Sequence, residues 1–332
     1  MGFKAAVVGL GSIGTRHLQN ILRCINDVER VFVFDSNMDR LHRNDLHHGK
    51  VVCCRTKEEI AGADVDVAFI TTPNASHYSD SMDFISRGVP VFIEKPVTIE
   101  SKEARKLMDS AAAPVLVGCN MRYHPGVRRA RDILKEGVLG TLVYARAHFG
   151  HMLKNWRPQA DYKTSYSAKE KLGGGVIWDG IHELDYVMWL IGDVVECHAL
   201  YDNRMILDIE TEEIAEIILR HAGGVISCIH LDYIQPLKRR GLELVGTQGS
   251  YLWESRGKKP EEMTIDVFTG IKGREQVYKG YTDIDAPYRE ELQEVFDVLR
   301  GRRIEDTRLL SIELACKEIE IIESIKTGCS HE

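Results

Sequence analysis

The feature that most constrains the fold is the N-terminal stretch 4–17, where a short apolar run meets closely spaced glycines. The run 5–8 (Ala-Ala-Val-Val) has the length and composition of a buried strand, and Leu18, Ile21 and Leu22 follow with helical spacing. Between them lies the pattern glycine-x-glycine-x-x-glycine. The sequence therefore predicts a strand, a glycine turn and a helix, as in dinucleotide-binding folds.

Each glycine of this turn has a physical role in such a fold. The first glycine permits the tight turn, the second lets a pyrophosphate approach the backbone, and the third lets the helix lie close to the strand. The helix N-terminus offers free N–H groups to phosphates. The cofactor-binding residues predicted here are Gly9, Gly11, Ser12, Ile13 and Gly14.

A second apolar run, Val31–Phe34, ends in Asp35, about twenty residues after the last glycine of the turn. A carboxylate at this place can hold the adenosine ribose hydroxyls and disfavours a ribose 2′-phosphate, so we expect NAD rather than NADP. Ser36 and Arg40 close by weaken that preference. An ordinary cap at the end of the strand is the alternative role for Asp35.

Composition limits the other classes of function. A chain of 332 residues is long enough for two domains, and its net charge of -7 argues against general nucleic-acid binding. The eight cysteines show no C-x-x-C spacing, so we expect reduced thiols and no bound metal. No stretch approaches the roughly twenty apolar residues of a membrane span. With no signal peptide at the start, the expectation is a cytoplasmic protein without a membrane partner.

Two patterns divide the chain near residue 119. Strands alternate with helices up to that point, which predicts an α/β fold with a doubly wound parallel sheet, a Rossmann domain over residues 1–119. Period-two alternation over 195–268, with a hairpin around Ala222-Gly223-Gly224, predicts a mostly antiparallel sheet in a second domain over 120–332. The second domain is also expected to contain helices over 175–191, 288–300 and 306–326.

Ligands of a doubly wound sheet bind beyond the carboxyl ends of its strands, so the segments that follow two strands are site candidates. After the strand ending at Ile70, the cofactor candidates are Thr72, Pro73, Asn74 and His77, with helix capping as the alternative. After Ile93 come Glu94, Lys95 and Pro96. A charged pair on the end of a buried strand is costly unless water or a ligand compensates it, so Lys95 is a site candidate. A surface salt bridge is the alternative role for this pair.

Substrate candidates come from two further segments. The irregular stretch 155–167 is long for a loop and contains Trp156, Arg157 and Tyr162, which are suited to gripping a polyol ring. Arg122 and Tyr123 follow the last strand of the first domain and are expected to enter the cleft between domains. The basic run 238–240 could meet an anion or form a solvated turn.

The ordered set of motifs resembles the glucose–fructose oxidoreductase / inositol dehydrogenase (Gfo/Idh/MocA) family. The set comprises the glycine turn, Thr72-Pro73-Asn74 with His77, Glu94-Lys95-Pro96, 120–125, and Gly173-Gly174-Gly175 leading to His182 and Asp185. The resemblance implies a Rossmann domain followed by an α/β domain whose open sheet commonly forms the oligomer interface, giving a homodimer or homotetramer. It also implies a cis Lys95–Pro96 bond, with Lys95 beside the nicotinamide.

Members of the family mostly oxidise a secondary hydroxyl of a sugar, sugar derivative or inositol. That chemistry needs a base for the hydroxyl proton, and histidine or lysine can serve. The resemblance assigns this role to His182, with Lys95 polarising the hydroxyl and relaying the proton. A buried structural histidine is the alternative for His182.

The catalytic aspartate of the family usually precedes this histidine by four residues, but Trp178 holds that place here. Asp179 lies three residues before His182, and both spacings share one face of a continuous helix. Asp179 is therefore predicted to act in catalysis and substrate binding, while Glu183 faces another side.

The sequence thus predicts an NAD-dependent dehydrogenase of a sugar or cyclitol hydroxyl. Its long loop and its motif around His182 resemble a branch found among enzymes of bacterial surface sugars, so a nucleotide-activated or acidic sugar is one expected substrate. The alternatives are an enzyme that uses NAD redox transiently, such as an oxidative glycosidase or an epimerase, and a non-catalytic NAD-binding sensor.

Overall fold

The computed structural model describes residues 2–43, 46–257, 261–270 and 273–328. Its contacts divide the chain into two compact units. The first unit contains the described residues up to Asn120 together with Pro287–Ile319, and the second contains Met121–Ala286 with the described residues from Glu320 onward. Among the residues described, no helix is both long and apolar enough to cross a membrane.

The first part of the chain alternates short apolar strands with helices. Its elements are β1 (Phe3–Val8), α1 (Ser12–Cys24), β2 (Val28–Phe34), β3 (Val51–Cys53), α2 (Lys57–Gly62), β4 (Val67–Ile70), α3 (His77–Ile85), β5 (Val91–Glu94), α4 (Ser101–Ser110) and β6 (Val115–Gly118).

The middle of the chain is richer in longer strands. Its elements are α5 (Pro125–Lys135), β7 (Leu142–Gly150), α6 (Val176–Asp179), α7 (Ile181–Ile191), β8 (Val194–Asp202), β9 (Ile214–His221), β10 (Ile226–Asp232), β11 (Arg239–Gly246), β12 (Gly249–Arg256), β13 (Glu261–Thr269) and β14 (Gly273–Thr282). The last elements are α8 (Ala286–Leu299), β15 (Leu310–Ser311) and α9 (Ile312–Thr327).

The sheet of the first unit confirms the predicted Rossmann fold. Its strands lie in the order β15-β6-β5-β4-β1-β2-β3, and every pairing is parallel except that of β15 with β6. The central strands β4 and β5 are buried along their whole length, as expected for a parallel sheet covered on both faces. The carboxyl ends of β1, β4 and β5 therefore meet at one edge.

The second unit contains an eight-stranded sheet in the order β14-β13-β12-β11-β7-β10-β9-β8. Only the pairing of β7 with β10 is parallel, which confirms the prediction of a mostly antiparallel sheet. β9 and β10 form the predicted hairpin, with Ile214 opposite Asp232 and Arg220 opposite Ile226. Alternate residues of β9 are buried, so one face of the sheet is covered and the other is open.

The C-terminal part of the chain differs from the sequence prediction of one unbroken second domain over 120–332. Pro287–Ile319 groups with the first unit. Leu310 of β15 pairs with Val117 at the edge of β6, and the Glu291 carboxylate accepts the Cys119 N–H at 2.6 Å. These contacts join residues far apart in sequence, so no local pattern reveals them.

Two predicted helices also differ in their extent. The helix predicted over 306–326 begins only at Ile312, because Leu310 and Ser311 extend the first sheet. The helix predicted over 175–191 is interrupted at Gly180, which separates α6 from α7. An ideal Cβ on Gly180 would lie 2.5 Å from Leu231 Cδ2, so close packing against β10 requires glycine at this break.

Candidate active site

The glycine turn after β1 is closely packed on the end of β4. Gly9 has φ +94°, and an ideal Cβ there would lie 2.8 Å from the Thr71 carbonyl oxygen. A Cβ on Gly14 would overlap the Gly9 carbonyl oxygen, whereas one on Gly11 would meet no other described atom within 4 Å. Backbone approach is thus tight at the first and third glycines and open at the second, which fits a turn that admits a pyrophosphate.

Asp35 is fixed beside this turn at the end of β2. One carboxylate oxygen accepts the Leu10 N–H at 2.6 Å and the other accepts the Asn37 N–H at 2.8 Å. The Arg40 guanidinium pairs with Asp35 at 3.0 Å. Each carboxylate oxygen has two lone pairs, so this aspartate caps the local backbone and keeps capacity to accept from ribose hydroxyls.

A cation near the turn was missed by the sequence analysis. Arg43 donates from Nη1 to the Thr15 hydroxyl at 2.9 Å and to the Leu10 carbonyl at 3.4 Å. This guanidinium therefore lies at the N-terminal end of α1, where phosphates are favoured. The sequence alone shows Arg43 as a basic residue shortly after β2. Because such residues are common on protein surfaces, nothing marked Arg43 as part of the site.

In the segment after β4, the residues predicted to bind the cofactor make contacts with other groups of the protein. The Thr72 hydroxyl donates to Asp80 at 2.7 Å, and Asn74 is buried in a 3-10 turn. His77 is 1% exposed, with Nδ1 at 2.7 Å from the Pro96 carbonyl and Nε2 at 2.9 Å from the Thr72 carbonyl. The His77 ring therefore connects two loops, which differs from the predicted direct contact with the cofactor. Pro73 remains exposed beside them.

The segment after β5 places a charged pair at the same edge of the sheet. Glu94 is buried and bonds to His17 Nε2 at 2.6 Å, and this histidine holds the pKa of the Glu94 carboxyl below its usual range against the opposing effect of burial. Lys95 is half-buried, and the Lys95–Pro96 bond is cis, as the resemblance implies. The His17 contact is therefore the main compensation of the Glu94 charge, and the Lys95 charge adds to it.

In the second unit, Asp179 is 5% exposed and is held by two tyrosines. Tyr166 donates to one carboxylate oxygen at 2.7 Å, and Tyr233 donates to the other at 2.6 Å. Burial and the adjacent Asp179 charge raise the pKa of both phenols well above their usual range, so both stay neutral donors. Tyr166 belongs to the stretch 155–167 that the sequence singled out, whereas Tyr233 was missed because its contact with Asp179 is not local.

Trp156 lies beside this cluster. Its ring meets the Tyr233 ring edge-on at 5.5 Å and stacks on His151 at 6.0 Å, while its Nε1–H donates to the His151 carbonyl at 3.1 Å. An aromatic ring next to a carboxylate offers an apolar surface and hydrogen-bond acceptors side by side, which suits a polyol ring. Arg157 is exposed, and the Tyr162 hydroxyl donates to the Leu207 carbonyl at 3.0 Å, which occupies its donor hydrogen.

His182 is the second residue of α7 and is buried. Asp179 closes α6, so the two residues do not share one continuous helix, and the argument from helical spacing does not apply to them. Asp179 is instead oriented by its tyrosine partners.

Arg122 and Tyr123 are buried within the second unit, which differs from their predicted contact with substrate. Arg122 donates to Asp185 at 2.6–3.1 Å, and its guanidinium lies 5.2 Å from the centre of the Trp189 ring. Tyr123 is 1% exposed.

The basic run 238–240, for which the sequence left an anion contact and a solvated turn open, pairs with carboxylates of the protein itself. Lys238 pairs with Glu261 at 2.7 Å, and Arg240 pairs with the buried Glu183 at 2.8 Å. These cations therefore neutralise buried carboxylates.

Comparison with known proteins agrees with this arrangement. Residues 3–117 match the family model described as the oxidoreductase family, NAD-binding Rossmann fold, and residues 127–252 match the model of the GFO/IDH/MocA C-terminal domain. The chain belongs to the Gfo/Idh/MocA family. Its first unit is an NAD-binding Rossmann domain, and the glycine turn and Asp35 fit that cofactor.

Among curated relatives, an inositol 2-dehydrogenase of Gluconacetobacter diazotrophicus is 28% identical over 211 residues. The match covers 61% of this chain and 59% of the relative. An oxidoreductase of Desulfitobacterium hafniense described as NADPH-dependent shares the fold with a TM-score of 0.83 at 16% identity, covering 100% of this chain and 98% of that one. Levoglucosan dehydrogenase in complex with NADH shares the fold with a TM-score of 0.82 at 16% identity, and the match covers 100% of this chain and 99% of that one.

Proposed function

We propose that this member of the Gfo/Idh/MocA family is an NAD-dependent dehydrogenase of a secondary hydroxyl on a sugar, sugar derivative or cyclitol. The observation that carries the proposal is the place of Lys95. It follows β5 directly, at the sheet edge where β1 enters the glycine turn, and ligands of doubly wound sheets bind at that edge. The names of the inositol and levoglucosan dehydrogenases support the substrate class.

The residues divide the chemistry between them. NAD, when bound, supplies the hydride acceptor. Hydride loss from an alcohol requires removal of the hydroxyl proton, which we assign to His182 as general base. Lys95 would donate an N–H to the hydroxyl oxygen and relay the proton. Asp179, held by its two tyrosines, would accept hydrogen bonds from other substrate hydroxyls beside Trp156.

A panel of free and nucleotide-linked sugars and cyclitols, followed by NADH absorbance, tests the proposed activity. On the best substrate, Lys95→Met should lower kcat by about 10²-fold or more, the usual contribution of a positioned acid or base. NADH binding, measured by fluorescence, should be retained. Lys102→Met is the matched control, because Lys102 is an exposed lysine of the same unit paired with Glu100.

The two alternatives give different results in the same assay. A transient-redox enzyme would convert substrate without releasing NADH in step with product. A sensor would show no turnover, and its ligand response would survive Lys95→Met. Either result would replace the dehydrogenase proposal.

We further propose that the substrate belongs to surface-polysaccharide metabolism, as a nucleotide-activated or acidic sugar. The loop with Trp156 and the sequence around His182 support this assignment by resemblance. The panel tests it directly, because kcat/KM should then be higher for a nucleotide-linked sugar than for the free sugar or inositol. The reverse order would reject it.

The open face of the second sheet supports an oligomer of identical chains. Leu200 is 80% exposed and Ile218 is 50% exposed, and their register places both side chains on this face. We propose a homodimer or homotetramer through this surface. Light scattering should show that Ile218→Glu dissociates it, while Met38→Glu, which changes an exposed residue of the first unit, should not.

A further inference from the structure

Lys95 lies between two residues that are each held by a buried histidine. His17 Nε2 lies 2.6 Å from Glu94 Oε1, and His77 Nδ1 lies 2.7 Å from the Pro96 carbonyl oxygen. From this arrangement we infer that His17 and His77 are positioning residues, which fix segment 94–96 and thereby the direction of the Lys95 amine. The inference rests on the proposed role of Lys95.

The His17–Glu94 bond is enclosed on several sides. The His17 ring lies on α1 at 5.8 Å from the Phe69 ring, 5.3 Å from the Phe92 ring and 6.2 Å from the Tyr288 ring. A buried carboxylate without a hydrogen-bond donor is expensive, and removal of the histidine would take away the donor that Glu94 has here. The Glu94 side chain therefore has one strongly preferred orientation, towards α1.

The His77 ring connects the loops that follow β4 and β5. Its two nitrogens face the carbonyl oxygens of Thr72 and Pro96, which can only accept hydrogen bonds. Burial lowers the pKa of His77, so at neutral pH its single N–H bonds to one carbonyl at a time. The ring fills the space between the two loops in either case and holds them at a fixed separation.

These two contacts act on the residues immediately before and after Lys95. The peptide groups that bear Lys95 are therefore held at both ends, and its side chain leaves the backbone from a fixed position. Misplacement of a reacting group by about 1 Å can cost about 10²-fold in rate. The histidines would affect catalysis through this placement without touching substrate.

Turnover of His17→Met, His77→Met and His17→Gln tests the inference. Both methionine variants should lower kcat by about 10²-fold with KM and the NADH dissociation constant nearly unchanged. Because glutamine offers an N–H donor near the position of Nε2, His17→Gln should recover about tenfold of that loss. His47→Met, at an exposed histidine of the first unit, is the control. A wild-type kcat in both methionine variants, or failure of glutamine to recover activity, would overturn the inference.

A second readout does not depend on turnover. Lysines are reductively methylated with ¹³C-formaldehyde, and the Lys95 signal is assigned by its loss in Lys95→Arg. Folded His17→Met and His77→Met should shift or broaden this signal, while His47→Met should not. An unchanged Lys95 signal in both variants would reject positioning even if activity falls. A shifted signal in a protein that turns over no sugar would support positioning and reject the dehydrogenase proposal instead.

Discussion

The Asp35 carboxylate accepts two backbone N–H groups and pairs with Arg40, which fixes a negative charge beside the glycine turn. A ribose 2′-phosphate at this place would be repelled by the Asp35 charge. Removal of the Asp35 carboxylate would leave the Arg40 guanidinium able to attract the phosphate. In the sequence, Asp35 favours NAD while Arg40 weakens that preference. In the structure the two side chains form an ion pair.

We expect Asp35→Ala to reduce the preference for NADH over NADPH by about tenfold or more, since about 1.4 kcal/mol of lost repulsion corresponds to that factor. Fluorescence titration of both dinucleotides measures it without any substrate. Asp39→Ala, which removes an exposed carboxylate of the same segment, should leave the preference unchanged. Equal discrimination by Asp35→Ala and the wild type would contradict the role of Asp35.

The tyrosine clamp on Asp179 leads to a second expectation at this scale. Tyr233→Phe and Tyr166→Phe each remove one donor from a nearly buried carboxylate. A hydrogen bond to a charged group contributes about 1.5–3 kcal/mol, so kcat/KM should fall by roughly 10- to 100-fold in each variant. Tyr281→Phe, at an exposed tyrosine, is the comparison. Unchanged kinetics in both clamp variants would show that Asp179 needs neither phenol.

At the scale of elements, the break between α6 and α7 depends on a glycine that packs against β10. A Cβ on Gly180 would lie 2.5 Å from Leu231 Cδ2 and 2.9 Å from the Val176 carbonyl oxygen. Overpacking of this kind costs about 1–3 kcal/mol, so Gly180→Ala should lower the free energy of unfolding by that amount.

Tryptophan fluorescence in urea can measure this loss, because all four tryptophans (Trp156, Trp178, Trp189 and Trp253) lie in the second unit. Gly223→Ala is the matched control, since a Cβ on Gly223 meets no described atom within 4 Å. A Gly180→Ala midpoint equal to that of the control would show that the break tolerates a side chain.

Local patterns predicted most elements of both units. The run before Gly9 and the hairpin around Gly223 were identified because burial period and turn composition are encoded within a few residues. The break at Gly180 was missed because it depends on Leu231, about fifty residues away along the chain. The same limit hid Tyr233 from the candidate site, whereas Asp179 was proposed from the family resemblance.

At the scale of the molecule, buried histidines should make stability fall in mild acid. Burial lowers the pKa of His124 to about 3, while an unfolded histidine titrates near 6.5. Between these values the unfolded chain binds a proton that the folded chain does not, so stability is lost as pH falls below about 6.5.

His124→Asn should remove about 2 kcal/mol of the stability difference between about pH 7.5 and about pH 5. Asparagine can still accept the Gly126 N–H that His124 Nδ1 accepts at the start of α5, so the cap is retained. Urea unfolding by tryptophan fluorescence measures the difference at each pH. The exposed His198→Asn should keep the wild-type pH dependence. If His124→Asn keeps the wild-type pH dependence of stability, other groups cause the acid sensitivity.

The pairing of β15 with β6 has a consequence for how the protein is made. The segment up to Asn120 is translated before the second unit, yet it lacks an edge strand and the carboxylate of Glu291 until the chain has been translated past residue 311. The middle of the chain is therefore synthesised while the nascent cofactor domain is still incomplete. An expressed fragment that stops at Asn120 would keep an unpaired strand edge, and a Rossmann fragment for biochemical work should carry 287–319 as well.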